Sequence, residues 1–340
     1  MFKIKQINED FIVREKIKLS LNENGQYQYF LLQKNGLTTQ EAIFLVSEKL
    51  RIPRKYFKYA GNKDKHALTE QTISISSNMD IGKMEGKNFS LQYVGKGNEP
   101  INLGSNEGND FEIVVRNIDN DFEFPEKIGF IPNYFDTQRF SSDNLSIGYA
   151  LLQRDFGKAI MLLADSSSDA AIIRDSITKN PNDFIGALRK ADKKIMMMYI
   201  HSVQSLVFNE ILADCIKLKT NVYKSVLHPF GEFIFPVEIT TKAVLPLPGF
   251  GTETIKDEEI NELMKARLAE HNIDMRNFVF KEIPELSSEG ALRHAFVKIK
   301  SLKISKFTDD ELNSGKKKCT LKFYLQKGSY GTIVVKSMFG

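Results

Sequence analysis

The chain has 340 residues, of which 42% are hydrophobic and 26% are charged, a composition typical of a globular protein with about two domains. No apolar run approaches the roughly 18 residues of a membrane span, and the first residues lack the pattern of a signal peptide, so we expect a cytoplasmic protein without membrane association. The two cysteines, Cys215 and Cys319, fit no zinc-binding spacing, and we expect them to be reduced structural thiols.

The net charge is only +4, but the cations are clustered. Six of them lie between Arg51 and Lys65 around a single acid, Asp64. Four lysines without an acid lie in residues 298–306, and residues 316–318 are all lysine. Such clusters most often form a solvated surface. Several of them near a candidate active loop favour a polyanionic substrate.

The first 60 residues predict strands and one helix. Residues 2–7 alternate between apolar and charged side chains, as in a half-buried strand, and residues 9–15 and 27–33 predict further extended segments. Thr38 and Glu41 have the spacing of a capping box at the start of an amphipathic helix.

Residues 59–71 are the segment in which we place the chemistry. They have neither a helical nor a strand period, so they predict a loop that leads into a strand at residues 71–76. Asp64 lies in its middle between Lys63 and Lys65, and neighbouring cations favour an ionised carboxylate. An ionised aspartate can act as a nucleophile towards a sugar carbon. In an arbitrary sequence the same pattern is usually a solvated turn.

Two other interpretations of this loop fail. Residues 62–65 look like the guanine-reading motif of GTPases, but the aspartate would have to stand at position 65, and the chain contains no phosphate-binding loop sequence. Asp64 and His66 are of metal-ligating types, but nothing nearby completes a ligand set, and we expect no metal.

The rest of the chain predicts an alternation of strand and helix regions. Residues 77–110 are rich in glycine and predict loops. Residues 108–116 predict a strand that begins near Asn109 and has Phe111 on its apolar side. The later elements are a helical region, short strands and turns, an amphipathic helix and two strands, at residues 143–217, 229–250, 256–271, 295–305 and 320–325.

Several segments of the chain resemble the TruD family of tRNA pseudouridine synthases. Residues 61–71 are similar to the signature G-x-K-D-K-x-A-x-T-x-Q, and residues 9–15 are similar to E-D-F-x-V-x-E. Residues 108–116 resemble G-N-x-F-x-I-x-x-R, and residues 328–332 resemble the G-S-[YF]-A-T of the family's final strand. The chain departs from the family at Gly331, where alanine is usual, and at Asp136 and Ser141, where glycines are usual.

The resemblance implies a fold of the mixed α/β (α+β) class. It implies a pseudouridine synthase catalytic domain with a largely antiparallel sheet, formed by residues 1–133 and 294–340. An inserted α/β TRUD domain would occupy residues 134–293.

The resemblance also implies the function. Uridine in tRNA would be isomerised to pseudouridine, at position 13, without a metal or organic cofactor. Asp64 would be the catalytic nucleophile, either by adding to the ribose carbon or by removing a ribose proton to give a glycal. The substrate-binding residues would be Phe11, Asn109, Phe111 and Tyr330. From adjacency in sequence, we add Lys63 as the residue that keeps Asp64 ionised. We expect tRNA as the partner and a monomer without an obligate protein partner.

Two rival functions stay open. A non-catalytic RNA-binding or tRNA-folding helper on the same fold would keep the basic clusters without needing Asp64. A glycosidase would need two carboxylates that flank the scissile bond, and Glu70 is the only candidate near Asp64. The intact K-D-K sequence favours the synthase.

Overall fold

The computed structural model of the protein describes residues 1–77, 79, 81–124, 128–140, 143–238, 243–252 and 257–340. The chain divides into two compact units. Unit 1 contains Met1–Gly129 and Lys298–Gly340, and unit 2 contains Phe130–Val297. Within the described ranges, none of the helices has the length and hydrophobicity that crossing a membrane requires.

Among its described residues, unit 1 is built on a ten-stranded sheet that packs against two α-helices. The strands are β1 (Phe11–Lys16), β2 (Tyr27–Asn35), β3 (Phe57–Tyr59), β4 (Leu68–Ser76), β5 (Met84–Glu85), β6 (Phe89–Gly97), β7 (Gly108–Ile118), β14 (Lys300–Ile304), β15 (Thr308–Asp309) and β16 (Lys317–Gln326). The helices are α1 (Thr39–Leu50) and α8 (Gly331–Phe339). The sheet order is β14-β16-β7-β1-β4-β2-β6-β5, with β3 paired to β4 and β15 to β16.

The pairing of β1 with β4 is parallel, whereas the other described pairings in this sheet are antiparallel. The expected mixed α/β class with a largely antiparallel sheet is therefore confirmed. In the parallel pair, Ile12 lies opposite Leu68. Because neighbouring parallel strands start at the same edge of a sheet, the segments that precede β1 and β4 meet there. One is the N-terminal segment, and the other is the loop that contains Asp64.

Strand alternation gives the sheet of unit 1 one apolar face and one charged face. Opposite residues in register share a face, so Val13, Phe111 and Phe323 point to the same side. The apolar face of β2 and β4 packs on α1 through a cluster that includes Phe30, Leu32 and Val46. The opposite face carries a ladder of ion pairs: Arg14 to Glu70 and Glu112, and Lys322 to Glu112.

The capping box predicted for α1 is confirmed. Thr38 Oγ1 accepts a hydrogen bond from the Glu41 N–H at 3.1 Å, and Glu41 Oε2 accepts one from the Thr38 N–H at 2.7 Å. The helix ends at Leu50 because Arg51 adopts the left-handed conformation, with φ 57°, two residues before Pro53.

Unit 2 contains six helices and six short strands among its described residues. The helices are α2 (Asn144–Leu152), α3 (Phe156–Ser166), α4 (Ala170–Lys179), α5 (Phe184–Leu188), α6 (Lys193–Lys219) and α7 (Glu258–Glu270). The strands are β8 (Phe130–Pro132), β9 (Tyr223–His228), β10 (Gly231–Pro236), β11 (Val244–Leu247), β12 (Ala291–His294) and β13 (Phe296–Lys298). The predicted helical region at residues 143–217 is confirmed. Residues 141 and 256, which figured in the sequence predictions, lie outside the described residues.

Three element predictions for unit 1 were wrong: a strand at residues 2–7, a loop at residues 89–97 and the final strand. Residues 2–7 form no regular strand; Lys3 alone pairs, with Arg116, because Lys5 leaves the extended conformation at φ 57°. Residues 89–97, predicted as loop, form β6, whose alternating Phe89 and Leu91 were obscured by the surrounding glycines.

The predicted final strand is instead a turn followed by α8. The strand was expected from the resemblance of residues 328–332 to the family's final strand, but Ile333, Val334 and Val335, which follow, are all buried. A strand with one exposed face would bury alternate residues, so tertiary packing here overrides the local β-propensity.

Candidate active site

Asp64 lies in the connection between β3 and β4, and its carboxylate faces a cation from the N-terminal segment. Lys5 Nζ lies 2.7 Å from Asp64 Oδ2, and the two side chains are 18% and 30% exposed, respectively. The ammonium also lies 4.1 Å from the centroid of the Phe11 ring. Lys5 holds a left-handed backbone conformation that is uncommon for a residue with a side chain. The site therefore presents an accessible carboxylate whose negative charge is stabilised from one side.

The two lysines that flank Asp64 in sequence have other partners. Lys63 Nζ lies 2.6 Å from Glu15 Oε1 and donates to Asn109 Oδ1 at 3.0 Å, while Lys65 pairs with Glu41 at 2.9 Å. The expected contact of Lys63 with Asp64 is therefore corrected, because the cation that meets the Asp64 carboxylate is Lys5. Sequence reasoning missed Lys5, since only the parallel pairing of β1 with β4 brings it near.

A chain of buried polar groups holds the loop around Asp64. The Lys63 N–H donates to Thr39 Oγ1 at 2.9 Å, and the Thr39 hydroxyl donates to Gln71 Oε1 at 2.8 Å. Gln71 Nε2 in turn donates to the Gly61 carbonyl at 3.2 Å. The glutamine of the loop signature thus fixes both the start of the loop and the first turn of α1.

Lys34 of β2 holds the backbone of the same loop by hydrogen bonds. Its side chain projects from β2, the residue is 2% exposed, and Nζ donates to the carbonyl oxygens of Asp64 at 2.7 Å and of Leu37 at 2.6 Å. Burial lowers the pKa of Lys34 to about 8, although the charge of Asp64 opposes this shift. Lys34 therefore fixes the backbone of Asp64 while leaving its carboxylate free to act.

Replacement of Lys34 by Met is expected to remove a pH dependence of stability. Below about pH 8 the lysine is charged in both folded and unfolded chains. Between about pH 8 and its ordinary value of 10.5, the folded chain releases the proton first, so the free energy of unfolding rises with pH. Urea denaturation of both proteins at pH 7, 8, 9 and 10 measures this rise in the parent relative to the variant. A difference that stays constant over this range would contradict the assignment.

The aromatic residues predicted to bind substrate lie together on the apolar face of the sheet. Phe11 and Phe111 meet edge to face, with ring centroids 6.2 Å apart, and Phe323 stacks on Phe111 at 5.4 Å. Phe11 is 2% exposed and Phe111 is 6% exposed. A base could stack on Phe111 only after the ring is uncovered, so this role stays a prediction.

Asn109 and Tyr330 lie at the borders of this aromatic group. Asn109 is opposite Glu15 in the register of β7 and β1, and both contact the ammonium of Lys63. Tyr330 is half-buried and directly precedes α8. A Cβ atom added to the next residue, Gly331, would lie 2.7 Å from the ring of Phe111. The glycine that departs from the family pattern thus allows close packing of α8 on Phe111.

Glu70, the second carboxylate that a glycosidase would need, points away from the site. In β4 it follows Thr69, which faces the apolar side with Lys34, so alternation places Glu70 on the charged face. There it lies 3.4 Å from Arg14 and accepts a hydrogen bond from Gln33. The geometry therefore does not support a pair of carboxylates that flank one glycosidic bond.

The lysine run at residues 316–318 is balanced by acids of the same protein. Each lysine of residues 316–318 is paired with an acid: Lys316 with Asp119, Lys317 with Asp309 and Lys318 with Glu311. This run, which the sequence suggested as a basic surface, is therefore largely neutralised within the protein.

The known proteins to which this chain is similar are described as tRNA pseudouridine synthase D. A family profile described as tRNA pseudouridine synthase D (TruD) matches residues 2–171, 167–228 and 237–338. The chain is 30% identical over 393 residues to a probable tRNA pseudouridine synthase D 1 of Methanococcus maripaludis, covering 99% of both chains. It is 30% identical over 386 residues to the tRNA pseudouridine synthase D of Aquifex aeolicus, covering 99% of this chain and 98% of the other.

A solved structure is similar over nearly the same length. The crystal structure of the putative tRNA pseudouridine synthase D (TruD) from Methanosarcina mazei gives a TM-score of 0.68 at 27% identity, and the match covers 98% of this chain and 92% of that one. The similarity therefore extends over both units.

Proposed function

Because the chain belongs to the tRNA pseudouridine synthase D (TruD) family, we propose that it isomerises uridine to pseudouridine in tRNA, at position 13. The observation that carries the proposal is the accessible carboxylate of Asp64, which lies 2.7 Å from Lys5 on a loop held by buried polar groups. A non-catalytic RNA-binding protein would have no need of a carboxylate prepared in this way.

The proposed reaction begins with a uridine that has been extruded from the RNA stack into the site. Asp64 acts on the ribose, the bond between the ribose carbon and N1 of uracil breaks, and the base turns over. On the covalent route, C5 then bonds to the same ribose carbon while the carboxylate leaves it; on the glycal route, C5 bonds there while the carboxylate returns the proton that it had taken from the ribose. C5 finally loses its proton and N1 gains one, so that every bond broken is matched by one formed on either route.

The neighbouring residues have supporting roles in this proposal. Lys5 stabilises the charge of Asp64, and Lys34 and Gln71 hold the loop. Phe11, Asn109, Phe111 and Tyr330 bind the target nucleotide, and Lys63 positions Asn109 through its hydrogen bond to Oδ1.

We assign the catalytic domain to unit 1 and the inserted TRUD domain to unit 2. Support comes from the placement of Asp64, Phe111 and Tyr330, which all belong to unit 1. The breaks between the units, after residues 129 and 297, lie four residues from the predicted ends of the insertion.

The test uses tRNA from cells that lack this protein. The purified chain is incubated with that tRNA, and pseudouridine is then mapped along the molecule. Modification at position 13 supports the full proposal, and modification at another uridine supports the reaction while overturning the position. Binding of tRNA without modification would favour the RNA-binding helper.

Replacement of Lys5 by Met is expected to lower the rate of pseudouridine formation by about 10²–10³-fold, the loss typical when one preorganised electrostatic partner is removed. The matched control is Lys16→Met. Lys16 also pairs with an aspartate, Asp110, at 2.8 Å, but it is 53% exposed, and we expect little change in rate. Single-turnover assays measure both variants. Equal rates for the Lys5 variant and the parent would overturn the role of Lys5.

A further inference from the structure

A second charged feature of unit 1 lies outside the proposed active site. We call it the α1–β3 basic face, and it consists of Arg51, Arg54, Lys55 and Lys58 together with the aromatic rings of Phe44 and Tyr56. All four cations are exposed, and the rings are 45% and 40% exposed, respectively. Large aromatic side chains that remain this exposed beside cations are typical of surfaces that bind nucleic acid.

The cations of this face have no acidic partner in the part of the chain that the structure describes. None of these four side chains has a nitrogen within 4.0 Å of a described carboxylate oxygen. Helix α1 carries two acids. Glu41 forms an ion pair with Lys65, and Glu48, four residues after Phe44, is exposed. The face therefore keeps an excess of positive charge, in contrast to residues 316–318, whose three lysines are each paired.

The aromatic rings restrain two of the cations. The guanidinium carbon of Arg54 lies 5.6 Å from the centroid of the Phe44 ring, and Lys55 Nζ lies 5.1 Å from that of Tyr56. Such cation–π contacts reduce the side-chain freedom that binding would otherwise remove. The uncovered parts of the rings remain available for stacking on an unpaired base.

Only a short stretch of chain joins the α1–β3 basic face to the proposed active loop. Lys58 lies in β3, whose last residue, Tyr59, is paired with Ile73 of β4. Asp64 is five positions after Tyr59, and that length of extended chain spans at most about 18 Å. A polynucleotide with its target uridine at Asp64 therefore reaches the face within a few nucleotides.

We propose that the α1–β3 basic face binds backbone phosphates of the tRNA next to the target uridine, with an unpaired base stacked on Phe44 or Tyr56. This inference rests on the proposed function and extends it from the reacting nucleotide to its neighbours. Each phosphate neutralised by a cation releases counterions, so binding through this face depends on salt.

The test compares two triple variants with equal charge change. Arg54→Gln/Lys55→Gln/Lys58→Gln removes unpaired cations, and Lys316→Gln/Lys317→Gln/Lys318→Gln removes paired ones. Affinity for tRNA is measured at several salt concentrations. For the first variant, the slope of log K against log salt is expected to become shallower by about 2–3, and Kd at ~0.1 M salt to rise at least about tenfold. For the second, we expect a change in slope below about one.

Two outcomes would overturn the proposal: a slope for the first variant equal to that of the parent, or equal losses in both variants. Thermal unfolding of both variants shows whether they remain folded. A further variant, Phe44→Leu/Tyr56→Leu, is expected to weaken binding without changing the slope, because it removes stacking and no charge. Failure of the proposed function would instead appear as tRNA without pseudouridine after incubation with the parent protein, so the two failures are distinguishable.

Discussion

Replacement of Asp64 by Asn is expected to abolish pseudouridine formation, with the single-turnover rate falling by at least about 10⁴-fold, as when an essential nucleophile is removed. Asparagine has nearly the same shape and can still accept a hydrogen bond from Lys5, which now lies 2.7 Å from the carboxylate. The loop is held through the backbone of Asp64 by Lys34. The variant therefore keeps the geometry and loses only the negative charge that the chemistry requires.

The control for this prediction is tRNA affinity, which is expected to stay within a few fold of the parent. Asp64→Ala, measured beside it, excludes a return of activity through deamidation of the asparagine. Rapid modification by the alanine variant would show that another group attacks the ribose. Loss of binding by both variants would instead mean that Asp64 holds the substrate.

Replacement of Arg116 by Leu is expected to destabilise the protein by about 3–5 kcal/mol, because it leaves buried carboxylates without their partner. Arg116 is 3% exposed. Its Nε donates to Asp10 at 2.8 and 3.0 Å, Nη1 donates to Asp310 at 2.9 Å, and Nη2 lies 3.1 Å from Glu311. Burial alone would lower the pKa of Arg116, but these acids outweigh it and the pKa is raised.

The effect is measured by urea denaturation followed by far-ultraviolet circular dichroism, since the chain has no tryptophan. Arg14→Leu is the matched control. Arg14 also contacts two acids, Glu70 and Glu112, but its side chain is 41% exposed, and exposed pairs of this kind contribute up to about 1 kcal/mol. Similar losses in the two variants would show that burial of the Arg116 network adds nothing.

The same network predicts how the protein responds to acid. Burial raises the pKa of Asp310, but hydrogen bonds from the Asn117 N–H, from Asn313 and from the Leu312 N–H outweigh it, and Arg116 adds to them, so the pKa lies at about 2. Because this value is below that of an unfolded aspartate, the stability it contributes is complete above about pH 4. It is lost as the pH falls towards 2.

The Arg116 network also fixes the segment that presents Lys5. Asp10, which Arg116 holds, accepts hydrogen bonds from the backbone N–H groups of Gln6 and Ile7. Lys3 exchanges two backbone hydrogen bonds with Arg116, at 2.9 and 2.8 Å. The unusual conformation of Lys5 is thus confined between anchored residues, which is how a strained backbone persists.

The parts of the fold that depend on local sequence were predictable. The capping box of Thr38 and Glu41 located α1, and the alternation around Phe111 located β7, because both signals lie within a few residues. The loop around Asp64 was recognised from its polar composition and its resemblance to a family signature. For α1 and β7 the signals that decide the structure lie within the segment itself, whereas the loop is held by residues of neighbouring elements, Lys34 and Thr39 among them.

The parts that depend on distant residues were not predictable. Lys5 meets Asp64 because β1 and β4 are parallel neighbours, a pairing across some 55 residues that no local pattern encodes. Adjacency pointed to Lys63 instead, whose side chain reaches Glu15 and Asn109. Similarly, the resemblance of residues 328–332 predicted a final strand, whereas a helix begins at Gly331 and packs closely on Phe111 of the sheet.

The sheet order also determines when the proposed site can form during protein synthesis. β7, from the first part of the chain, lies between β1 and β16 in the sheet, and β16 is made only after all of unit 2. Asp310, which helps to anchor the segment with Lys5 through Arg116, also follows unit 2. On the ribosome, the chain of unit 2 is therefore complete while unit 1 still lacks the strands at one edge of its sheet. The proposed active site, although Lys5 and Asp64 are made early, is thus among the last parts of the protein to be assembled.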